Sequence, residues 1–417
     1  MRILLLSQWF EPEPTFKGMA FARALRERGH EVRVLTGFPN YPGGKLYPGY
    51  RVRPWQREQI DGIPLLRVPL YPSHGHSAAG RIANYASFAL SAALASVFVQ
   101  RPDVVYAYHP PATIGLPAEC MRLLRGVPFV YDIQDLWPDS VSASNMMNHQ
   151  GALRILNRWC GFLYRRAARI VVLSPGFKAT LAARGVPQEK IEVVYNWCDE
   201  QALGAMAGAP VALGTEEEFH IVFAGTLGVA QALDAVLEAA RICAVTVPRA
   251  RFVFIGAGVE AERIERAAAA MALPNVRFLP RQPMNTIGRY LAAADALLVH
   301  LKDDPLYRIT IPSKTQAYLA AGKPILMGVK GDAAALILRS GAGVVCEPNH
   351  PASIARAVEQ LAAAGAHRLA EMGEAGRAFY ARELSLAAGV DRFERIFADA
   401  AAEGGRMPGR TASRRCE

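Results

Sequence analysis

The feature that most constrains the fold is an alternation that occurs twice. In the first half, RILLLSQ, EVRVLTG, PLLRVPL, DVVYAY, PFVYDIQD, RIVVLS and IEVVYN read as strands. Helical patterns lie between them: Phe16–His30, the apolar Tyr85–Gln100, Ala112–Leu124, Leu153–Ala168 and one from Pro175. Apolar strands separated by helices predict a parallel sheet covered on both faces. A composition break follows from Asp199 to Glu218, with Gly204, Gly208, Pro210, Gly214 and then three glutamates. The pattern then restarts with FHIVFAG, ARFVFIGAG, NVRFLP, ALLVHL, PILMGV and GAGVVCE, with helices over Gln231–Val247 and Asn285–Ala294. The expectation is an α/β chain of two doubly wound, Rossmann-like domains facing a central cleft. They are placed at residues 1–198 and 219–380, with a linker at 199–218. Terminal helices at 381–402 can cross back to the first domain, and 403–417 reads as a disordered basic tail. Ligands of such sheets bind outside the strand C-termini, so function is expected in the loops that follow the strands.

Composition narrows the classes. Hydrophobic residues make up 51% and charged residues 20% of the 417, which is globular. Six scattered cysteines form no CxxC and no metal spacing, which fits reduced thiols and no bound metal. The opening MRILLLSQWFEPE is apolar for only five residues before it turns acidic, unlike a signal peptide. The apolar stretch Tyr85–Gln100 falls short of the ~20 residues of a membrane span. It reads as a buried helix or one lying at a bilayer surface. Together these readings place the chain in the cytoplasm. Net charge is +10, and residues 1–200 hold 23 Lys and Arg against 15 Asp and Glu. The first half therefore faces something negative. No nucleic-acid module accompanies the charge, so anionic lipid or a phosphorylated substrate is expected. In RILNRWCGFLYRRAARI, Arg154, Arg158 and Arg165 form a basic side that suits lipid or plain solvent.

Several stretches carry candidate chemistry. In TIPSKTQAYLAAGKPIL, Thr310 can cap, Pro312 suits a first turn and Gly322 a stop, so a helix presents free N–H groups, Ser313 and Lys314. Such an end attracts anions. FAGTLGVAQALD is a strand, a glycine turn (Gly225, Gly228) and a helix start with Gln231 as a hydrogen-bonding group, or else a tight turn without a ligand. FIGAGVEAERI lacks the third glycine of a dinucleotide fingerprint and reads as a packing turn. In VYDIQDLWPDS, Asp132 and Asp135 end an apolar strand, where a carboxylate can bond a hydroxyl or act as a base, with Trp137 as a flat wall. The plainer alternative is that Asp135 or Asp139 caps the next helix. His109 ends a strand before two prolines and can touch substrate or serve the core. Lys17 and Gly18 stand where the first strand meets its helix.

GHEVRVLTGFPNYPGGKLYPGYR, DIQDLWPDS, GTLGVAQALD and IPSKTQAYLAAGKPIL together resemble the bacterial family 4 glycosyltransferases of polysaccharide assembly. The nearest group is the O-antigen and colanic-acid type, including N-acetyl-L-fucosamine transferases, and the likeness runs from Met1 to Phe397. The resemblance implies a GT-B fold, with the acceptor on the first domain and a nucleotide-sugar, UDP-linked, on the second. It also implies transfer with retention of configuration and without a metal. The donor diphosphate would lie at Ser313, Lys314 and Thr315, beside Gly225, Thr226, Gly228 and Gln231, with Gly18 approaching from the first domain and Arg281 near the base. Asp135 and Lys314 would be catalytic, and Lys17, His109, Asp132 and Trp137 would face the acceptor. That acceptor would be a lipid-linked saccharide at the inner face of the cytoplasmic membrane, with no nucleic acid involved. Two family glutamates are missing: Ala317 and Ile309 stand at their positions. The family's Arg/Lys pair after the first strand of the second domain is also absent, and Lys314, with Arg308 or Lys302, can replace it. A non-catalytic nucleotide-sugar-binding subunit and a UDP-sugar 2-epimerase remain open, and the incomplete glycine fingerprint disfavours an NAD-dependent dehydrogenase.

Overall fold

Most segments read as strands are deeply buried, while NVRFLP and IEVVYN become half-exposed strands at the sheet edges. The computed structural model describes residues 1–73, 78–143, 149–204 and 211–404. The first sheet holds β1 (Arg2–Ser7), β2 (Glu31–Gly37), β3 (Gln56–Ile60), β4 (Ile63–Val68), β5 (Val104–His109), β6 (Phe129–Ile133), β7 (Arg169–Val172) and β8 (Ile191–Val193). Their order is β3-β4-β2-β1-β5-β6-β7-β8. The second sheet holds β9 (Phe219–Ala224), β10 (Ala250–Ile255), β11 (Val276–Leu279), β12 (Ala296–His300), β13 (Ile325–Gly328) and β14 (Gly343–Val345), in the order β11-β10-β9-β12-β13-β14.

Neighbouring strands run parallel, with Ile3 opposite both Val32 and Val104. The exception is the β3–β4 hairpin, which is antiparallel. Every residue of β5, β6 and β9 is buried, as a two-sided parallel sheet demands. β3 was not anticipated, because QREQI carries no apolar alternation. It is an edge strand held by backbone bonds, turned at Asp61 and Gly62, which both have positive φ.

In each sheet the winding reverses beside the first strand of the unit, between β1 and β5 and between β9 and β12. Loops diverge at such a point and leave room for a ligand. The loops concerned follow β1, β5 and β6 in the first unit and β9 and β12 in the second.

The chain divides into two compact units. One holds Met1–Val172, Thr180–Val194 and the chain from Val390, and the other holds Leu173–Ala179 and Tyr195–Gly389. The change of unit near 195 precedes the expected boundary at 198, and Leu173–Ala179 lies on the other side of it. The final helix, Leu386–Gly404, passes into the first unit at Val390. There Phe393 packs on Phe21 and Tyr106, with ring centroids 5.0 and 5.5 Å away. Part of the expected linker (205–210), and the expected tail beyond 404 with Cys416, lie outside the described residues. Among the described residues no helix is long and apolar enough to cross a membrane.

Candidate functional site

The expected site residues fall into two groups, one in each unit. The second unit holds the glycine turn and the helix Ser313–Ala321. β9 ends at Ala224, and Gly225 follows with φ +142°, a conformation that side chains disfavour. A Cβ there would also stand 2.4 Å from Cε of Lys314. Behind this turn, a Cβ on Gly256 would lie 1.8 Å from the Gly225 carbonyl, and one on Gly258 2.1 Å from that of Leu227. The FIGAG segment therefore works as a packing surface for the turn.

The helix opens at Pro312 and closes at Gly322 (φ +67°). Thr310 does not cap it; its hydroxyl donates to Leu306 O at 2.7 Å. The first turn of the helix therefore has no side-chain cap, and its leading amides are the ones a helix leaves unsatisfied. Tyr318 fixes this helix to the turn: its hydroxyl accepts from Ala224 N (2.8 Å) and donates to Ala224 O (3.2 Å). Sequence reasoning missed Tyr318, since an aromatic on a helix reads as core.

Lys314 is the unusual group. Its Nζ is buried and has no hydrogen-bond partner among the described residues. It sits 3.2 Å from the centroid of the Phe223 ring. Burial lowers its pKa to about 7. Gly225, Thr226 and Ser313 beside it are exposed. Thr315 is buried, and its hydroxyl has no hydrogen-bond partner among the described residues. Gln231 is also committed internally, because its Oε1 accepts from Gly228 N at 3.0 Å. His300, buried at the end of β12, holds the same turn through Gln231 O at 2.7 Å. Its Nε2 accepts from Asn349 N at 3.2 Å; burial lowers the pKa of the ring, and the bond to Gln231 O works the other way. Arg281 is exposed on the loop after β11, with no ion pair among the described residues. Of the cations expected to replace the family's missing pair, Arg308 and Lys302 are engaged: Arg308 pairs with Asp303 at 2.9 Å, and Lys302 lies 3.8 Å from Asp304.

In the first unit the structure corrects several expectations. Lys17 and Asp132 form a sealed ion pair at 2.6 Å, with both side chains fully buried. Asp132 also accepts from Tyr106 (2.5 Å) and Gln134 (2.7 Å). Burial pulls the Lys17 pKa down, and Asp132 pulls it back. Neither group is offered to an acceptor; together they tie the β1 loop to β6. Gly18 is buried as well. A Cβ there would meet Thr15 at 2.5 Å and the Glu11 carboxylate at 2.7 Å. That carboxylate accepts from Met19 N at 2.7 Å and fills the helix end that a phosphate would need. His109 is 2% exposed, and burial takes its pKa to about 3. Its ring packs edge-on against Tyr131 (5.7 Å) and Trp137 (5.4 Å), so it is a neutral core ring. Trp137 is buried too and also approaches Tyr85 at 6.3 Å. Asp135 differs from all of these: it is exposed, and its carboxylate has no partner among the described residues. Surrounding chain still desolvates it enough to raise its pKa. Asp139 pairs with Arg184 at 2.6 Å.

Comparison with known proteins gives the family and the fold. The description "Glycosyl transferase 4-like domain" matches residues 19–197, and "Glycosyl transferases group 1" matches 210–379. A Pseudomonas aeruginosa protein named as a glycosyltransferase, WbjE, is 27% identical over 63% of this chain and 66% of its own length. An Escherichia coli K12 protein named as a colanic acid biosynthesis glycosyl transferase, WcaI, is 26% identical over 77% of this chain and 82% of its own. Among solved structures, sucrose-phosphate synthase from Thermosynechococcus elongatus superimposes with a TM-score of 0.69 at 15% identity, covering 96% of this chain and 99% of that one. HepE of Anabaena, solved with UDP-glucose, gives 0.66 at 17%, covering 95% and 99%. The fold is thus GT-B, and the chain belongs to the family 4 glycosyltransferases.

Proposed function

We propose that the protein moves a sugar from a nucleoside-diphosphate donor to a hydroxyl of a growing surface polysaccharide, with retention of configuration. The donor is UDP-linked, a HexNAc or deoxy-HexNAc, and the acceptor is carried on a lipid diphosphate at the inner face of the cytoplasmic membrane. The observation that carries this reading is Lys314, a buried ammonium with no anion among the described residues, set beside an exposed glycine turn at an uncapped helix end. A diphosphate supplies the missing charge. The relative named for colanic acid biosynthesis and the HepE complex with UDP-glucose support the polymer and the donor class.

In the reaction the bond between the sugar's anomeric carbon and the diphosphate oxygen breaks, and its electron pair leaves with the diphosphate. Lys314 and the leading amides of Ser313–Ala321 stabilise that charge as it forms. The acceptor hydroxyl bonds to the anomeric carbon from the side the diphosphate leaves. Its proton passes to a diphosphate oxygen. Asp135 accepts a hydrogen bond from the acceptor and orients it. No step in this scheme requires a metal.

The test is a panel of nucleotide-sugars screened for thermal stabilisation, followed by turnover of the hits. Stabilisation by UDP and UDP-sugars that disappears in Lys314→Ala is expected. Ala317 and Ile309 in place of two family acids favour one rival, a binding subunit without turnover. Donor that is bound but never consumed in the presence of acceptor would establish that rival.

A further inference from the structure

The helix Ala78–Ser96 buries Tyr85, Phe88, Ala89 and Ala92 along one face. Its opposite face meets water with Ala79, Ile82, Ala83, Ala86, Leu90 and Leu94, so every exposed residue of the helix is apolar. Leu90 and Leu94 are 60% and 72% exposed, and Phe98 just beyond is 84% exposed. A helix at a water-facing surface is ordinarily polar on that side, and apolar patches of this kind mark contact surfaces.

The patch continues onto the next helix, Gly115–Arg125, where Leu123 and Leu124 are 62% and 68% exposed. Arg125 ties the two helices together by donating to Ser96 O (3.0 Å) and Val99 O (2.6 Å). The far flank of Gly115–Arg125 meets the helix Gln150–Arg166, with Leu163 packed onto Gly115. On that third helix exposed Ile155 lies beside Arg154 and Arg158, which have no ion pairs among the described residues.

Charge identifies the occupant. No Asp or Glu occurs between Gly62 and Pro102. Besides Arg125, which is bound to Ser96 O and Val99 O, Arg81 lies in its first turn and Arg101 beyond its end. A cation in a first turn opposes the helix dipole, so Arg81 does not serve the helix itself. Its Nε is buried without a partner among the described residues. Two copies meeting through this face would bring cations together with no acid between them. A fluid surface that is apolar beneath and anionic at its rim matches both properties.

We propose that this face docks on the headgroup layer of an anionic phospholipid bilayer, with Leu90, Leu94 and Phe98 entering the acyl boundary and Arg81 and Arg101 at the phosphates. This deepens the proposed function, because it rests on an acceptor borne by lipid.

The test uses the full chain with phosphatidylcholine vesicles, plain or containing phosphatidylglycerol. The wild type is expected to sediment with the anionic vesicles only. Leu90→Gln with Leu94→Gln should release it while thermal stabilisation by UDP is unchanged. Arg81→Gln and Arg101→Gln should each weaken binding about fivefold, an effect that fades with salt. No binding to anionic vesicles, or equal binding by the leucine variant, overturns the proposal. A wild-type dimer that the leucine variant disperses would instead assign the face to a second copy. Transfer to a saccharide on a short soluble tail reads the chemistry separately. If that transfer proceeds without vesicle binding, the docking surface is wrong and the transferase reading stands. If vesicles bind but no acceptor is ever glycosylated, the transferase reading is wrong and the docking surface stands.

Discussion

Two lysines in this chain have lost water, and they have done so differently. Lys17, in the first unit, meets the Asp132 carboxylate at 2.6 Å inside a fully buried pair. Lys314, in the second, has the face of Phe223 at 3.2 Å and no anion among the described residues. The ring is worth about 0.5–2 kcal/mol, while stripping an ammonium of water costs several kcal/mol after relaxation. Lys17 is therefore balanced within the fold. Lys314 carries an uncompensated cost that a bound anion would remove. The difference separates a cation that builds the protein from one kept for a ligand.

The largest expected effect tests the first half of that contrast. Asp132→Ala leaves the Lys17 ammonium sealed without its carboxylate, and urea unfolding should show a loss of about 3–5 kcal/mol. If the midpoint does not move, the pair is not structural and the two lysines are alike. Next comes Lys314→Met, for which transfer should fall ~10²-fold or more. Urea stability should hold or rise, because the variant removes a desolvated charge. Full activity would take Lys314 out of the mechanism.

A pH series sharpens the contrast further. The Lys314 pKa is lowered to about 7 from 10.5, so the unfolded chain binds the extra proton between those values. This group's contribution to stability therefore rises with pH across that window, and its cost is complete below about 7. A bound diphosphate would raise the pKa again. UDP affinity should then be flat below about 7 and weaken by up to about tenfold per pH unit above it. Calorimetry in two buffers of different ionisation heat should show proton uptake on binding, and its absence at pH 8 would mean that Lys314 stays charged without ligand. The smallest effect concerns the turn next to Lys314. Gln231→Ala removes the side chain that caps Gly228, at about 1 kcal/mol. KM for the donor should rise while kcat changes little; a change confined to kcat would place Gln231 in the chemistry instead.

Most of the architecture was legible in the sequence because strand and helix periodicity are local. The exception, β3, shows the limit. QREQI has no apolar face to recognise, and its pairing depends on β4 and on the turn at Asp61–Gly62. That dipeptide was the available signal. The candidate site was legible in part. Ser313 and Lys314 could be placed at a helix start from proline and glycine positions. Tyr318 and His300 could not be singled out, because their partners, Ala224 and Gln231, lie 94 and 69 positions away. Gly18 looked open to a phosphate, but Glu11 lies in front of it only once the β1 loop has folded. The apolar stretch Tyr85–Gln100 was readable as apolar, but not as having one covered and one bare face.

The sequence by itself determined two wound α/β units, the positions of their loops and the lopsided charge, since these follow from spacing and composition. Tertiary structure alone decided which charges are neutralised. Asp132 reaches Lys17 across 115 positions, while Lys314 folds onto a ring that cannot balance it. The physical reason is that an ion's energy is set by what replaces its water, and those neighbours come from distant segments.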